Sequence, residues 1–126
     1  MHGLNPLQPE NPETLIVDPA ADTFYNDITA DVREPWIAKM KPQAYSSFKS
    51  PVNSVVWENG LTPCTYLKCD MDQGVYPPLQ QSMIDTVSKD GTPWNIEECH
   101  SGHSAWLNQV ETVTQLIRKC AGEQVA

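Results

Sequence analysis

The chain has no uninterrupted apolar run of about 18 residues, the length a bilayer-crossing helix needs, so no membrane association is expected. Only eight lysines and arginines stand against sixteen aspartates and glutamates, for a net charge of −8. Those few cations are scattered, whereas phosphate binding needs them clustered, so the composition excludes a nucleic-acid partner. Glycine is sparse, at six residues, and no internal repeat is visible. Residues 1–13 are polar and proline-rich and lack the apolar core of a secretory leader. Cys64, Cys69, Cys99 and Cys120 are therefore expected as reduced, mostly buried thiols of a cytoplasmic protein.

What is present fits one small domain: 126 residues, 40% hydrophobic, punctuated by eleven prolines. Two regions differ in rhythm. In residues 1–60, Asn5-Pro6, Gln8-Pro9 and Asn11-Pro12 read as loop, and Thr14–Val17 as a short extended segment. A helix is expected from Thr29, a plausible N-cap, with Val32, Trp36 and Met40 on one stripe, Pro35 kinking or splitting it and Pro42 ending it. Phe48, Val52, Val55 and Val56 recur at helical spacing, predicting a further short helix that ends near Trp57.

Residues 61–126 alternate strand and helix. Cys64–Cys69 is rich in β-favouring types, and Pro77 suits the first turn of a helix carrying Leu79, Met83, Ile84 and Val87 to a stop at Gly91. Trp94–Cys99 is a second, poorer strand. A last helix is expected from about Ala105 to Ala121, with Trp106, Val110, Val113, Leu116, Ile117 and Cys120 on its stripe and Gly122 after it. Strand–helix–strand–helix is the α/β pattern of a parallel sheet.

Chemistry collects where such strands end at their carboxyl edge. Asp70-Met71-Asp72-Gln73 follows the first strand and Ser101-Gly102-His103-Ser104 the second. An aspartate and a histidine so placed are two thirds of a Ser-His-Asp triad. The histidine moves the nucleophile's proton, and the aspartate fixes its tautomer and stabilises the imidazolium. Gly102 supplies a tight or left-handed turn before His103. The plainer reading is a structural loop histidine, with Asp70 as a turn-former and competitor for the acid role. His100 reads as an exposed strand-end residue and His2 as part of a disordered tail.

The run Tyr66–Pro77, with Ser101-Gly102-His103-Ser104, resembles the C-terminal half of α/β-hydrolase-fold proteins. The closest branch is the fungal relatives of plant methylester esterases and hydroxynitrile lyases. The resemblance implies a partial α/β-hydrolase fold: short helices of a cap in residues 1–60, then a β-α-β-α unit of the hydrolase core in 61–126. Phe24-Tyr25-Asn26-Asp27, the Trp36 helix and Ser50-Pro51-Val52 are similar to that cap. It further implies Asp72 as the triad acid, His103 as the triad base, and an ester or related carbonyl substrate from small-molecule or secondary metabolism, with no cofactor. The family carries its Gly-x-Ser-x-Gly elbow and oxyanion loop before this region, and the 126 residues contain no such motif. The chain alone is thus expected to be inactive, and to need a second chain or an N-terminal half to complete the sheet and supply the nucleophile.

Other constellations carry less. Cys64 and Cys69 with Cys99, His100 or His103 make crowded zinc geometry, so no metal is expected. Ser46, Ser47, Ser50 and Ser54 are off any strand–turn–helix elbow. Of Trp36, Trp57, Trp94 and Trp106, the last is the best candidate to line an acyl pocket, being three residues past His103. The alternative function is a non-catalytic binding or interaction protein derived from a truncated hydrolase.

Overall fold

In the computed structural model, residues 5–8, 11–59, 62–88 and 94–124 are described. The chain runs β1 (Asn5–Gln8), β2 (Asn11–Ile16), α1 (Ala20–Phe24), α2 (Ala30–Ile37), β3 (Gln43–Ala44) and α3 (Ser46–Lys49), then a 3-10 turn (Val56–Asn59). It continues through β4 (Cys64–Cys69), α4 (Pro77–Ser88), β5 (Trp94–Cys99), α5 (Ala105–Asn108) and α6 (Val110–Cys120). Helix and strand are mixed, with an antiparallel sheet β1-β2-β3 and a parallel pair β4-β5. Among the described residues no helix is long and apolar enough to cross a membrane.

The parallel pair is the element that positions the site. β-branched and aromatic side chains favour the pleated backbone of β4, and α4 connects it to β5. The register runs from Cys64 opposite Trp94 to Cys69 opposite Cys99, so both strands end level. The chains stay together past that point: Asp70 N donates to Cys99 O at 3.1 Å and Met71 N to Ser101 O at 3.0 Å. Below the turns, Cys69, Cys99 and Ala105 form a small core that Leu67 and Val113 pack against. Cys64, Cys69 and Cys99 are buried free thiols, while Cys120 is free and exposed. Burial, with the neighbouring Cys99 and Asp72 adding, pushes the Cys69 thiol up to about 11. It therefore packs as a neutral, small apolar group.

A fully buried glutamine locks this end of β4. Gln80, on α4, is 1% exposed. Its Oε1 accepts from Cys69 N at 3.0 Å, and its Nε2 donates to Cys69 O at 2.8 Å and Val75 O at 2.7 Å. Pro77 opens α4, and the carbonyl of Tyr76 accepts from Leu79 N and Gln80 N. Gln80 is thus delivered to the strand end by the first turn of its own helix.

Several expectations are corrected. The segment read as loop within residues 1–13 contains β1 and the first half of β2, paired with Pro6 opposite Leu15. Proline at the edge of a small antiparallel sheet costs no ladder bond when its nitrogen faces away from the partner. α2 does follow Thr29, but it remains a single eight-residue helix that contains Pro35 and stops at Ile37. The helix expected over Phe48–Trp57 is broken into α3 and the 3-10 turn. Ser50 sits at φ −70°, ψ 130°, as the residue before a proline prefers, and Pro51 follows it. The long C-terminal helix is split at Gln109, at φ −116°, ψ 40°. Asn108, the last residue of α5, bonds Asp27, as described below. Gly122, at φ +87°, closes α6 as expected. His2 and the stop at Gly91 lie outside the described residues.

Replacing Gln80 with alanine strands the buried N–H and C=O of Cys69 and should cost about 3 kcal/mol. Gln81→Ala, on the exposed side of the same helix, should stay within about 0.5 kcal/mol. Urea unfolding midpoints of the two variants check this; equal losses would contradict it.

Candidate active site

Asp72 and His103 meet. His103 Nδ1 lies 3.0 Å from Asp72 Oδ1 and 3.1 Å from Oδ2. Asp72 Oδ1 also accepts from Gly74 N at 2.7 Å and Val75 N at 2.9 Å. These local bonds tie the carboxylate into its own turn. The Asp72 side chain is 8% exposed and that of His103 is 30% exposed, so the carboxylate is enclosed and the imidazole is reachable. A carboxylate accepts only; Nδ1 therefore donates to it, and Nε2 is left with its lone pair. This is the tautomer that general-base chemistry needs.

Close packing fixes the ring. The Phe24 ring lies 4.9 Å from the imidazole, tilted by 36°. Gly74 lies against the ring's other contacts: a Cβ built there would stand 2.9 Å from His103 Nδ1. Gly102 is needed for space, not for a left-handed turn as expected. A methyl group on it would run into the side chains of Asn26 and Asp27, and Gly122 is the only described glycine with positive φ.

His103 lines a cavity of about 340 Å³ with Val17, Phe24, Phe48, Val75 and Tyr76. Thr23, Gln43, Gln73 and Gly74 complete the lining, so it carries no lysine, arginine or carboxylate. Trp106, expected to face an acyl pocket, is 54% exposed and does not line this cavity. The helical turn that carries it points it outward so that Ala105 can enter the core. Trp57 and Trp94 pack on each other, with centroids 5.8 Å apart, and Trp36 is exposed beneath the Lys39 ammonium.

Asp70, the competitor for the acid role, bonds a different histidine. Its Oδ2 lies 2.8 Å from His100 Nδ1, at side-chain exposures of 56% and 78%. Two Asp–His pairs therefore arise from one register: one enclosed beside the cavity, the other in water.

Among the described residues, no serine lines the cavity beside His103. Ser47 bonds Ala44 O and Ser50 bonds Ser46 O at the ends of a short exposed helix. Gly102-His103-Ser104 matches the first three positions of a nucleophile elbow, but Trp106 stands where its second glycine belongs and Ser104 is 1% exposed. Among the described residues, no three His, Cys, Asp or Glu side chains group in a way that could hold a metal ion.

The residues that sequence reasoning missed are Asn26 and Asp27, read there only as part of a cap. Asn26 Nδ2 donates to Met71 O at 2.9 Å, and Asp27 Oδ2 accepts from Gly102 N at 2.6 Å. Their partners lie 45 and 75 positions away, beyond any local signal. No family model matches the chain, and no curated protein matches it either.

The exposed pair gives a pH prediction. The hydrogen bond to Asp70, with its charge adding, raises the pKa of His100; the same bond lowers that of Asp70. The raised histidine contributes fully below its free value of about 6.5 and loses that contribution as pH climbs through the folded value. The lowered aspartate contributes above about 3.9 and loses it as pH falls through its folded value. An NMR titration should place His100 above the free value, with Asp70→Asn returning it to about 6.5 and salt narrowing the difference. A midpoint that Asp70→Asn leaves unmoved would contradict the pairing.

Proposed function

We propose that Asp72 and His103 are the acid and base of a serine-type α/β hydrolase, acting on an ester or related carbonyl compound. The nucleophilic hydroxyl comes from outside these 126 residues, on a preceding stretch of the polypeptide or on a second chain. The observation that carries this is the Nδ1–carboxylate pair at the level ends of two parallel strands, beside a cavity without charged walls. The resemblance to the C-terminal half of the hydrolase fold supports the same reading.

The chemistry follows from the tautomer. His103 Nε2 accepts the hydroxyl proton as the oxygen attacks the carbonyl carbon, and the imidazolium is stabilised by Asp72. The tetrahedral adduct collapses and expels the alkoxide, which takes the proton from Nε2. Water then attacks the acyl group by the same route, and the acid departs with the hydroxyl restored. Val17, Phe24, Phe48, Val75 and Tyr76 favour an uncharged, apolar substrate portion, since the lining carries no lysine or arginine to pair with a carboxylate or phosphate.

A second reading, a non-catalytic binding protein, is favoured by one observation: among the described residues no serine lines the cavity beside His103. Both readings meet in one experiment. The native protein is recovered from its source cells with an antibody to α6 and treated with a serine-reactive phosphonate. Labelling of a polypeptide or complex that contains this chain, lost in His103→Ala together with on the order of 10⁶ in kcat, supports the hydrolase. A species near 14.1 kDa that ignores the phosphonate, or labelling indifferent to His103→Ala, contradicts it and leaves the binding reading. The 126-residue chain by itself is expected to turn over esters no faster than its His103→Ala variant.

A further inference from the structure

Outside the Asp72–His103 contact, the densest polar arrangement in the described residues centres on Asp27. It lies between α1 and α2, far along the chain from both strand-end turns. Its Oδ2 accepts from Gly102 N at 2.6 Å and from Asn108 Nδ2 at 2.6 Å. Ser101 Oγ lies 3.0 Å from that oxygen and 2.9 Å from Asn108 Oδ1, with one proton to give between them. Ser101 is fully buried and Gly102 buried, so these groups have no water to fall back on. The preceding residue, Asn26, grips the other turn through Met71 O at 2.9 Å.

We infer that Asp27 is a positioning residue for His103: by holding Gly102 N–H and Ser101 it sets the backbone from which the imidazole reaches Asp72. The inference rests on the acid–base role given to His103 above. The physical reason is geometric. Gly102 immediately precedes His103, and the space where its side chain would stand is filled by Asn26 and Asp27. A shift of that peptide moves the ring directly. Asn108, one of the donors to Asp27, closes α5 just before the break at Gln109. Asn26 and Asp27 bond the two turns in addition to the strand register, a tie between the Asp72 and His103 turns that neither strand contains.

An orphan atom sharpens the expected pattern of substitutions. Asp27 Oδ1 is buried with no hydrogen-bond partner. In Asp27→Asn the amide oxygen takes the Oδ2 place and keeps all the incoming donors, while the amide nitrogen takes the partnerless place. Asparagine therefore preserves the positioning, whereas alanine removes it.

The readout is the exchange with water of the His103 Nδ1 proton, followed by NMR on the full chain. Exchange in Asp27→Ala should be about tenfold faster, the equivalent of one weakened hydrogen bond, and in Asp27→Asn within about threefold of the parent. Backbone amides of Cys69 and Cys99 should keep their protection in both. An Asp27→Ala protein whose His103 proton exchanges at the parent rate overturns the inference, as does faster exchange matched by equal loss across β4 and β5. Should Asp27→Ala not fold, Asp27→Glu decides, since the added methylene displaces the carboxylate from Gly102 N. Faster exchange supports the role, and an unchanged rate overturns it. The measurement needs no turnover, so its failure is separate from failure of the phosphonate experiment.

Discussion

The pairing of Cys69 with Cys99 closes the parallel ladder with both strands level, and the placement of Asp72 and His103 follows from it. Three residues past the first strand end and four past the second, the chain has just enough length to turn and present a side chain. Two backbone bonds past the last strand pair keep the turns side by side. A one-residue slip would send each strand's alternating side chains to opposite faces and would separate the carboxylate from the ring. Register here is chemistry as much as architecture.

Around that ladder the structure spends its buried polar groups on holding turns. Gln80 satisfies both backbone groups of Cys69 and the carbonyl of Val75, while Asp72 takes the N–H groups of Gly74 and Val75. Asn26 and Asp27 supply the third side of the frame. Unpaired buried polar groups are costly, so the bonds to Cys69, Val75, Ser101 and Gly102 each confine a turn, while the exposed Asn26 bond adds less. Phe24 and the bare backbone of Gly74 both lie close to the imidazole. His103 lines a cavity whose walls carry no other charged or ionisable group apart from Tyr76.

The second half of the chain was the legible half. β4, α4 and β5 announce themselves through local composition and Pro77, and the pairing of two strand-end turns follows from the general behaviour of α/β sheets. Choosing Asp72 over Asp70 needed the resemblance, since both aspartates follow the same strand; the geometry separates them by giving each its own histidine. The first half was poorly legible because its structure is made by distant partners. Asp27 meets Gly102 across 75 positions, and β2 gains strand character from β1 and β3 more than from its own composition. The continuous last helix is interrupted at Gln109, next to an Asn108–Asp27 bond that spans 81 positions and that no local pattern announces. Trp106, chosen for its place three residues past His103, is 54% exposed, while its smaller neighbour Ala105 takes the core position.

The central claim is that His103 is held by Asp72 in the tautomer of a general base. Nitrogen-15 NMR of the imidazole in the neutral form tests it most directly. The account predicts that Nδ1 of His103 carries the proton and Nε2 the lone pair, and that Asp72→Asn disturbs this preference. A neutral His103 protonated at Nε2, or one whose tautomer ignores Asp72→Asn, would contradict it.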